Sequence, residues 1–144
     1  MYDEACFALL GHHDEVPEGK VMKKILVVDD NAMNLRLIQD LLTVMGYTVI
    51  TANSGTDAVH LALEQRFDLI LMDVQMPGMS GTEAMRQLKR QPDWPEVPIV
   101  AITALAMEGD EQQLLEAGFD GYISKPIVFS DMLSSIAALL DSAS

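Results

Sequence analysis

The sequence predicts an α/β domain of three layers, with helices on both faces of a five-stranded parallel sheet. Three observations lead there. From Lys23 onward, short β-branched apolar runs alternate with longer helical patterns, the order expected of βα units. Runs such as ILVV, LILM and PIVAI are apolar at successive positions, so both of their faces must be covered. A chain of 144 residues, 49% of them hydrophobic, is long enough for one domain with a real core.

The strands are expected at 24–29 (KILVVD), 47–51 (YTVIT), 68–73 (DLILMD), 97–102 (VPIVAI) and 120–123 (DGYI). Between the first two, 33–45 carries Leu35, Ile38, Leu42 and Met45 at helical spacing, and Gly46 follows where a helix end favours a left-handed residue. The other helices are expected at 55–65, 82–90, 106–117 and 129–140, with Gly118 as a C-terminal stop and Ser130 as an N-cap. Leu37, Leu41 and Val44 form a second apolar stripe on the first helix, suited either to burial against the fifth helix or to an exposed docking face. Met33, Met76, Met79, Met85 and Met107 read as space-filling residues.

Residues 1–22 stand outside this pattern and are expected to be a flexible leader to a domain spanning 23–144, with Met22 at the junction. Cys6, His12, His13 and Asp14 are metal-binding types, but their spacing matches no common zinc site.

Charge narrows the function. Nine Lys and Arg against 22 Asp and Glu give a formal net charge of -13, which repels nucleic acid and anionic membranes. A single cysteine excludes an intrachain disulfide, no apolar run approaches the ~20 residues of a membrane span, and the acidic start is unlike a secretory signal. A cytoplasmic protein is expected.

In an open parallel sheet, ligands bind beyond the carboxyl ends of the strands. Those ends carry the unusual residues here: Asp29 and Asp30 after the first strand, Asp73 at the third, Thr103 at the fourth and Lys125 after the fifth. Three carboxylates brought together would repel one another unless a cation joined them. Oxygen ligands without His or Cys favour a hard cation, and an open, hydrated site facing phosphate favours Mg²⁺ over Ca²⁺. The hydroxyl and the ammonium suit the remaining oxygens of a phosphoryl group. No GxxxxGK[ST] loop follows the first strand, which argues against a nucleotide-cradling NTPase. A carboxylate can itself act as nucleophile, so one of the three is a candidate phosphoryl acceptor.

Together, VVDDN, LILMDVQMPGMSG, PIVAITALA and GYISKPI resemble the receiver domain of two-component response regulators, the CheY-like superfamily, over about residues 23–141. The wording of TALAMEGDEQQLLEAGFDGYISKPI is most similar to stand-alone DivK-type receivers and to receivers of hybrid histidine kinases. The resemblance implies a flavodoxin-like sheet of order 2-1-3-4-5. It makes Asp73 the phosphoacceptor, Asp30 a direct Mg²⁺ ligand, Asp29 a ligand acting mainly through water, and Gln75 a donor of its backbone carbonyl to the metal. It also implies that Lys125 neutralises the phosphoryl group or pairs with Asp73, that Thr103 binds a phosphoryl oxygen, that Tyr122 is the switch aromatic, and that Pro126 makes a cis peptide.

The resemblance further implies a histidine kinase or histidine phosphotransfer protein as donor. The downstream target would be a protein, contacted through the face made by the fourth helix, fifth strand and fifth helix, because the sequence stops soon after the fifth helix. No separate substrate would be turned over, so the protein is not expected to be an enzyme in that sense. Gln75 and Leu105 occupy positions that tune acyl-phosphate hydrolysis, and apolar Leu105 would shield the phosphoryl group. Two rivals are an aspartate-based phosphohydrolase, which normally wants a second acid where Gln75 stands, and an adaptor that is never phosphorylated.

Overall fold

A computed structural model of the protein describes residues 23–104 and 110–143. The expected leader, the Cys6/His12/His13/Asp14 group, Leu105 and Met107 lie outside these residues.

Among the described residues, ten elements alternate. They are β1 (Lys24–Val28), α1 (Ala32–Val44), β2 (Thr48–Ala52), α2 (Gly55–Glu64), β3 (Leu69–Asp73), α3 (Gly81–Lys89), β4 (Ile99–Thr103), α4 (Asp110–Ala117), β5 (Gly121–Ser124) and α5 (Phe129–Ala143). The strands pair in parallel in the order β2-β1-β3-β4-β5. All their carboxyl ends therefore share one edge, and the order reverses between β1 and β3.

Successive strand residues point to opposite sides, which splits the core in two. Ile25 and Val27 pack with Leu69, Leu71, Val100 and Ile102 beneath α1 and α5, where Leu35, Ile38, Leu42, Met132, Ile136 and Leu140 close the layer. Leu26, Val28, Ile70, Met72, Ile99 and Ala101 face the other side, beneath Ala58, Val59, Ala84, Met85 and Leu88 of α2 and α3. With both faces filled, every residue of β3 and β4 is buried, which is why these strands show no polar alternation.

Side-chain caps start three helices. Asn31, Ser54 and Ser80 accept the backbone N–H groups of Asn34, Asp57 and Glu83, satisfying donors that the first helical turn leaves without partners. Gly46 and Gly118 take φ of 97° and 127° at the ends of α1 and α4, as their positions predict.

Three expectations change. Ser130 is not the N-cap of α5: the helix already includes Phe129, and Val128 carbonyl accepts the Met132 N–H at 3.0 Å, so Ser130 lies inside the first turn. The second apolar stripe of α1 divides. Val44 is buried and Leu41 packs against the α1/α5 core, while Leu37 is 50% exposed over an open cleft of about 260 Å³ lined with Ile38, Lys125, Pro126, Ile127 and Phe129. Met33 is exposed, unlike Met76 and Met85, which are buried as expected.

Candidate functional site

The site grows from the ends of β1 and β3. Their register sets Val28 beside Met72, so the next residues, Asp29 and Asp73, leave the sheet side by side. Asp29 is one residue past the end of β1. Its N–H still donates to Ala52 carbonyl at 3.2 Å, but its carboxylate Oδ1 accepts the Asn31 N–H at 2.9 Å. That short turn lifts the chain off the sheet and delivers Asn31 as the cap of α1. Asp29 is consequently fully buried while Asp30 projects into solvent.

Asp73 repeats the device at β3, where its Oδ1 accepts the Gln75 N–H at 3.2 Å. The Gln75 side chain is exposed. Gly81 N–H donates to Val74 carbonyl at 3.0 Å, folding the loop back so that α3 begins directly against the end of β3. A Cβ on Gly81 would lie 2.1 Å from the Asp73 carbonyl oxygen. Glycine is therefore required there by close approach.

Carboxylate oxygens of Asp29, Asp30 and Asp73 lie within 4.8 Å of one another. From the far side Lys125, which follows β5, brings its Nζ to 3.3 Å from Asp73 Oδ2 and 3.5 Å from Asp29 Oδ2. The Lys125–Pro126 peptide bond is cis. Thr103 is buried at the end of β4, one residue beyond Ile102, the partner of Asp73. The structure thus brings Asp29, Asp30, Asp73 and Lys125 into one pocket, with Thr103 on the adjoining strand.

Tyr122 is not in that pocket. It is 36% exposed on the edge strand β5, and its hydroxyl donates to the Glu111 carboxylate of α4, which pushes the phenol pKa up. Sequence reasoning missed Glu111 and gave no separate role to Asn31 or Gly81. The Asp-x-Asn spacing before a helical run was the available signal for Asn31, and a glycine just after the cap Ser80 was the signal for Gly81.

Burial, followed by the nearby Asp29 charge, pushes the Asp73 carboxyl up from 3.8 to about 6, against the opposing pull of Lys125 and the Gln75 N–H. The sign of the pH effect follows. A carboxyl whose folded pKa exceeds its unfolded one binds more protons in the folded state between about 4 and 6, so its contribution to stability falls as pH rises through that window. In EDTA, urea unfolding is expected to show the wild type gaining stability from pH 7.5 to 5.5 relative to Asp73→Asn. An identical pH trend in the two proteins would contradict this.

The residues fit a hard divalent cation. Every side-chain donor is a carboxylate oxygen, and buried Asp29 Oδ2 faces Lys125 but accepts no hydrogen bond. Such an atom is costly to bury without a partner, and a hydrated divalent ion would satisfy it through a bound water while relieving the repulsion that raises Asp73.

Comparison with known proteins agrees with this geometry. The model of the response regulator receiver domain matches residues 25–137. The polar-differentiation response regulator DivK of Brucella anthropi is 40% identical over 121 residues, covering 84% of this chain and 98% of that protein. Among solved structures, the chemotaxis protein CheY4 of Vibrio cholerae superposes with a TM-score of 0.77 at 30% identity, over 83% of this chain and 99% of that one. The receiver domain of a Pseudomonas aeruginosa sensor histidine kinase, with a magnesium ion coordinated in its active-site cleft, superposes with a TM-score of 0.76 at 35% identity, over 84% and 99% of the two chains. With its sheet order, its acidic pocket and these relatives in agreement, the chain belongs to the response regulator receiver domain family, whose members work in two-component signalling.

Proposed function

We propose that the protein accepts a phosphoryl group on Asp73 from the phosphohistidine of a histidine kinase or histidine phosphotransfer protein, and signals by contact with another protein. The observation that carries this is the meeting of three carboxylates, with oxygens within 4.8 Å, and one ammonium at the carboxyl edge of the sheet. Relatives at 40% identity bear the name response regulator, and a structural neighbour at 35% identity holds magnesium in its active-site cleft.

Asp30 and Asp73 would hold Mg²⁺ directly, with the Gln75 carbonyl, and Asp29 through water; the ion would supply positive charge to the phosphoryl oxygens. An Asp73 oxygen attacks phosphorus in line while the P–N bond breaks, and the donor imidazole, carrying a proton on its other ring nitrogen, leaves as neutral histidine with that electron pair. Lys125, already beside Asp73, stabilises the charge that spreads over the equatorial oxygens. Thr103 then donates its hydroxyl to one of them. Tyr122 turns inward and gives up its bond to Glu111, which biases a two-state equilibrium toward the signalling form.

The donor helix docks on exposed Leu37 and Phe129 around the cleft beside Lys125. Apart from modifying itself, the protein catalyses no reaction. Among the described residues no helix is long and apolar enough to cross a membrane, and a cytoplasmic location matches this role. Intact-mass spectrometry after incubation with acetyl phosphate is expected to show one added phosphoryl group with Mg²⁺ and none in EDTA. A folded protein that gains no mass with Mg²⁺ would overturn the proposal.

A further inference from the structure

The loop between β3 and α3, residues 74–80, carries Gln75, whose backbone carbonyl is one of the ligands proposed for Mg²⁺. Its ends are tied at the tip of β3. Gln75 N–H donates to Asp73 Oδ1 at 3.2 Å, and Gly81 N–H donates to Val74 carbonyl at 3.0 Å. Beyond buried Met76 the outer part of the loop, 77–79, turns through Gly78, which has φ of 76° and open space around it. Neither bond at the ends places that outer part.

The first turn of α2 does. A Cβ on Gly55, the first residue of that helix, would lie 2.8 Å from the Met79 carbonyl oxygen and 3.1 Å from both Met79 Cβ and Met79 Cγ. Loop backbone therefore rests directly on helix backbone, at a separation that only glycine permits. The two sides of this contact differ in stiffness. Gly55 is buried; before it, the Ser54 hydroxyl caps the helix by accepting the Asp57 N–H at 3.1 Å, and after it Ala58 and Val59 are packed in the core. Met79 is only partly buried and follows Gly78, where the chain is free to bend. Forcing the two apart would move the loop and leave α2 in place.

We infer that Gly55 is a positioning residue for the metal site: by letting the Met79 backbone seat against α2, it sets where the loop presents the Gln75 carbonyl to Mg²⁺. Gly55 offers no ligand of its own. The inference deepens the proposed function and rests on its reading of Asp30, Asp73 and the Gln75 carbonyl as the groups that hold the ion. Groups that orient ligands without touching the metal commonly contribute about 10- to 100-fold to its affinity. A glycine that served only to pack α2 would behave differently: its replacement would lower stability and leave the affinity of the folded protein for Mg²⁺ unchanged.

The test titrates MgCl₂ alone into the full chain, with no phosphodonor, and follows the Gln75 amide by ¹H–¹⁵N NMR; urea midpoints are measured on the same samples. Gly55→Ala is expected to weaken Mg²⁺ binding at least ~10-fold. Met79→Gly, which adds no atom and so cannot clash, should release the loop from α2 and weaken binding at least ~3-fold. Because both act through one contact, the double variant should lose no more than about the larger single loss, rather than the product of the two. Ile136→Val trims a fully buried side chain of α5 in the other half of the core; it should lower the urea midpoint yet change Mg²⁺ affinity less than ~2-fold. Should Gly55→Ala fail to fold, Met79→Gly decides alone. Wild-type affinity in either folded single variant, multiplied losses in the double variant, or an equal loss in Ile136→Val would each overturn the inference. A folded wild type that binds no Mg²⁺ defeats instead the receiver reading on which it rests.

Discussion

Gly81→Ala is expected to destabilise the protein by roughly 3 kcal/mol or more and to impair phosphorylation in whatever fraction remains folded. The added methyl carbon would lie 2.1 Å from the Asp73 carbonyl oxygen and 2.9 Å from both the Asp73 carbonyl carbon and Met72 Cγ. Two of these three atoms are backbone at the end of a fully buried strand, so a side-chain rotation cannot relieve the clash. Either α3 withdraws, losing the packing of Ala84, Met85 and Leu88, or the backbone that aims Asp73 shifts. Gly78 supplies the contrast. It has φ of 76° with open space around its Cβ position, so Gly78→Ala should cost only about 1 to 2 kcal/mol, the usual left-handed penalty. Urea unfolding of both variants checks the comparison. Equal small costs would mean that α3 does not press on β3 as described.

Lys125→Met is expected to slow phosphorylation by acetyl phosphate at least ~100-fold at saturating Mg²⁺, the range seen when a preorganised charge that stabilises a transition state is removed. Methionine keeps most of the stem that packs beside Pro126, so the change isolates the ammonium. Lys125 is the cation that meets the buried oxygens of Asp29 and Asp73, at 3.5 and 3.3 Å, and its attraction opposes the burial that lifts the Asp73 carboxyl to about 6. Without it, Asp73 should take up a proton at still higher pH in EDTA, and the metal-free protein should lose stability at pH 7.5 more than at pH 5.5. Rates followed by intact mass, together with urea unfolding at the two pH values, provide the check. A wild-type rate would place Lys125 outside the chemistry.

The alternation of strands and helices was legible because fully buried parallel strands must be apolar at successive positions, as Leu69–Asp73 and Ile99–Thr103 are. The expected end of the first strand was displaced by one residue where a side-chain hydrogen bond intervenes. Asp29 reads as the last residue of an apolar run, yet its carboxylate takes the Asn31 N–H and the chain turns away. The pocket was legible for a different reason: parallel strands put all their carboxyl ends on one edge, so residues far apart in sequence meet there. What periodicity cannot express is how close two backbones come or which outward residues touch. The requirement for Gly81, the bond from Tyr122 to Glu111, and the division of the α1 stripe into buried Val44 and exposed Leu37 all depend on such tertiary distances.

The central claim is that Asp73, and neither Asp29 nor Asp30, carries the phosphoryl group. Reduction with borohydride traps an aspartyl phosphate as homoserine. The most direct measurement is peptide mass mapping after Mg²⁺-dependent labelling with acetyl phosphate and borohydride treatment, in the wild type and in Asp73→Asn. Homoserine at position 73 in the wild type, and at no position in the variant, is the result predicted; homoserine at 29 or 30, or undiminished trapping in folded Asp73→Asn, would contradict the account.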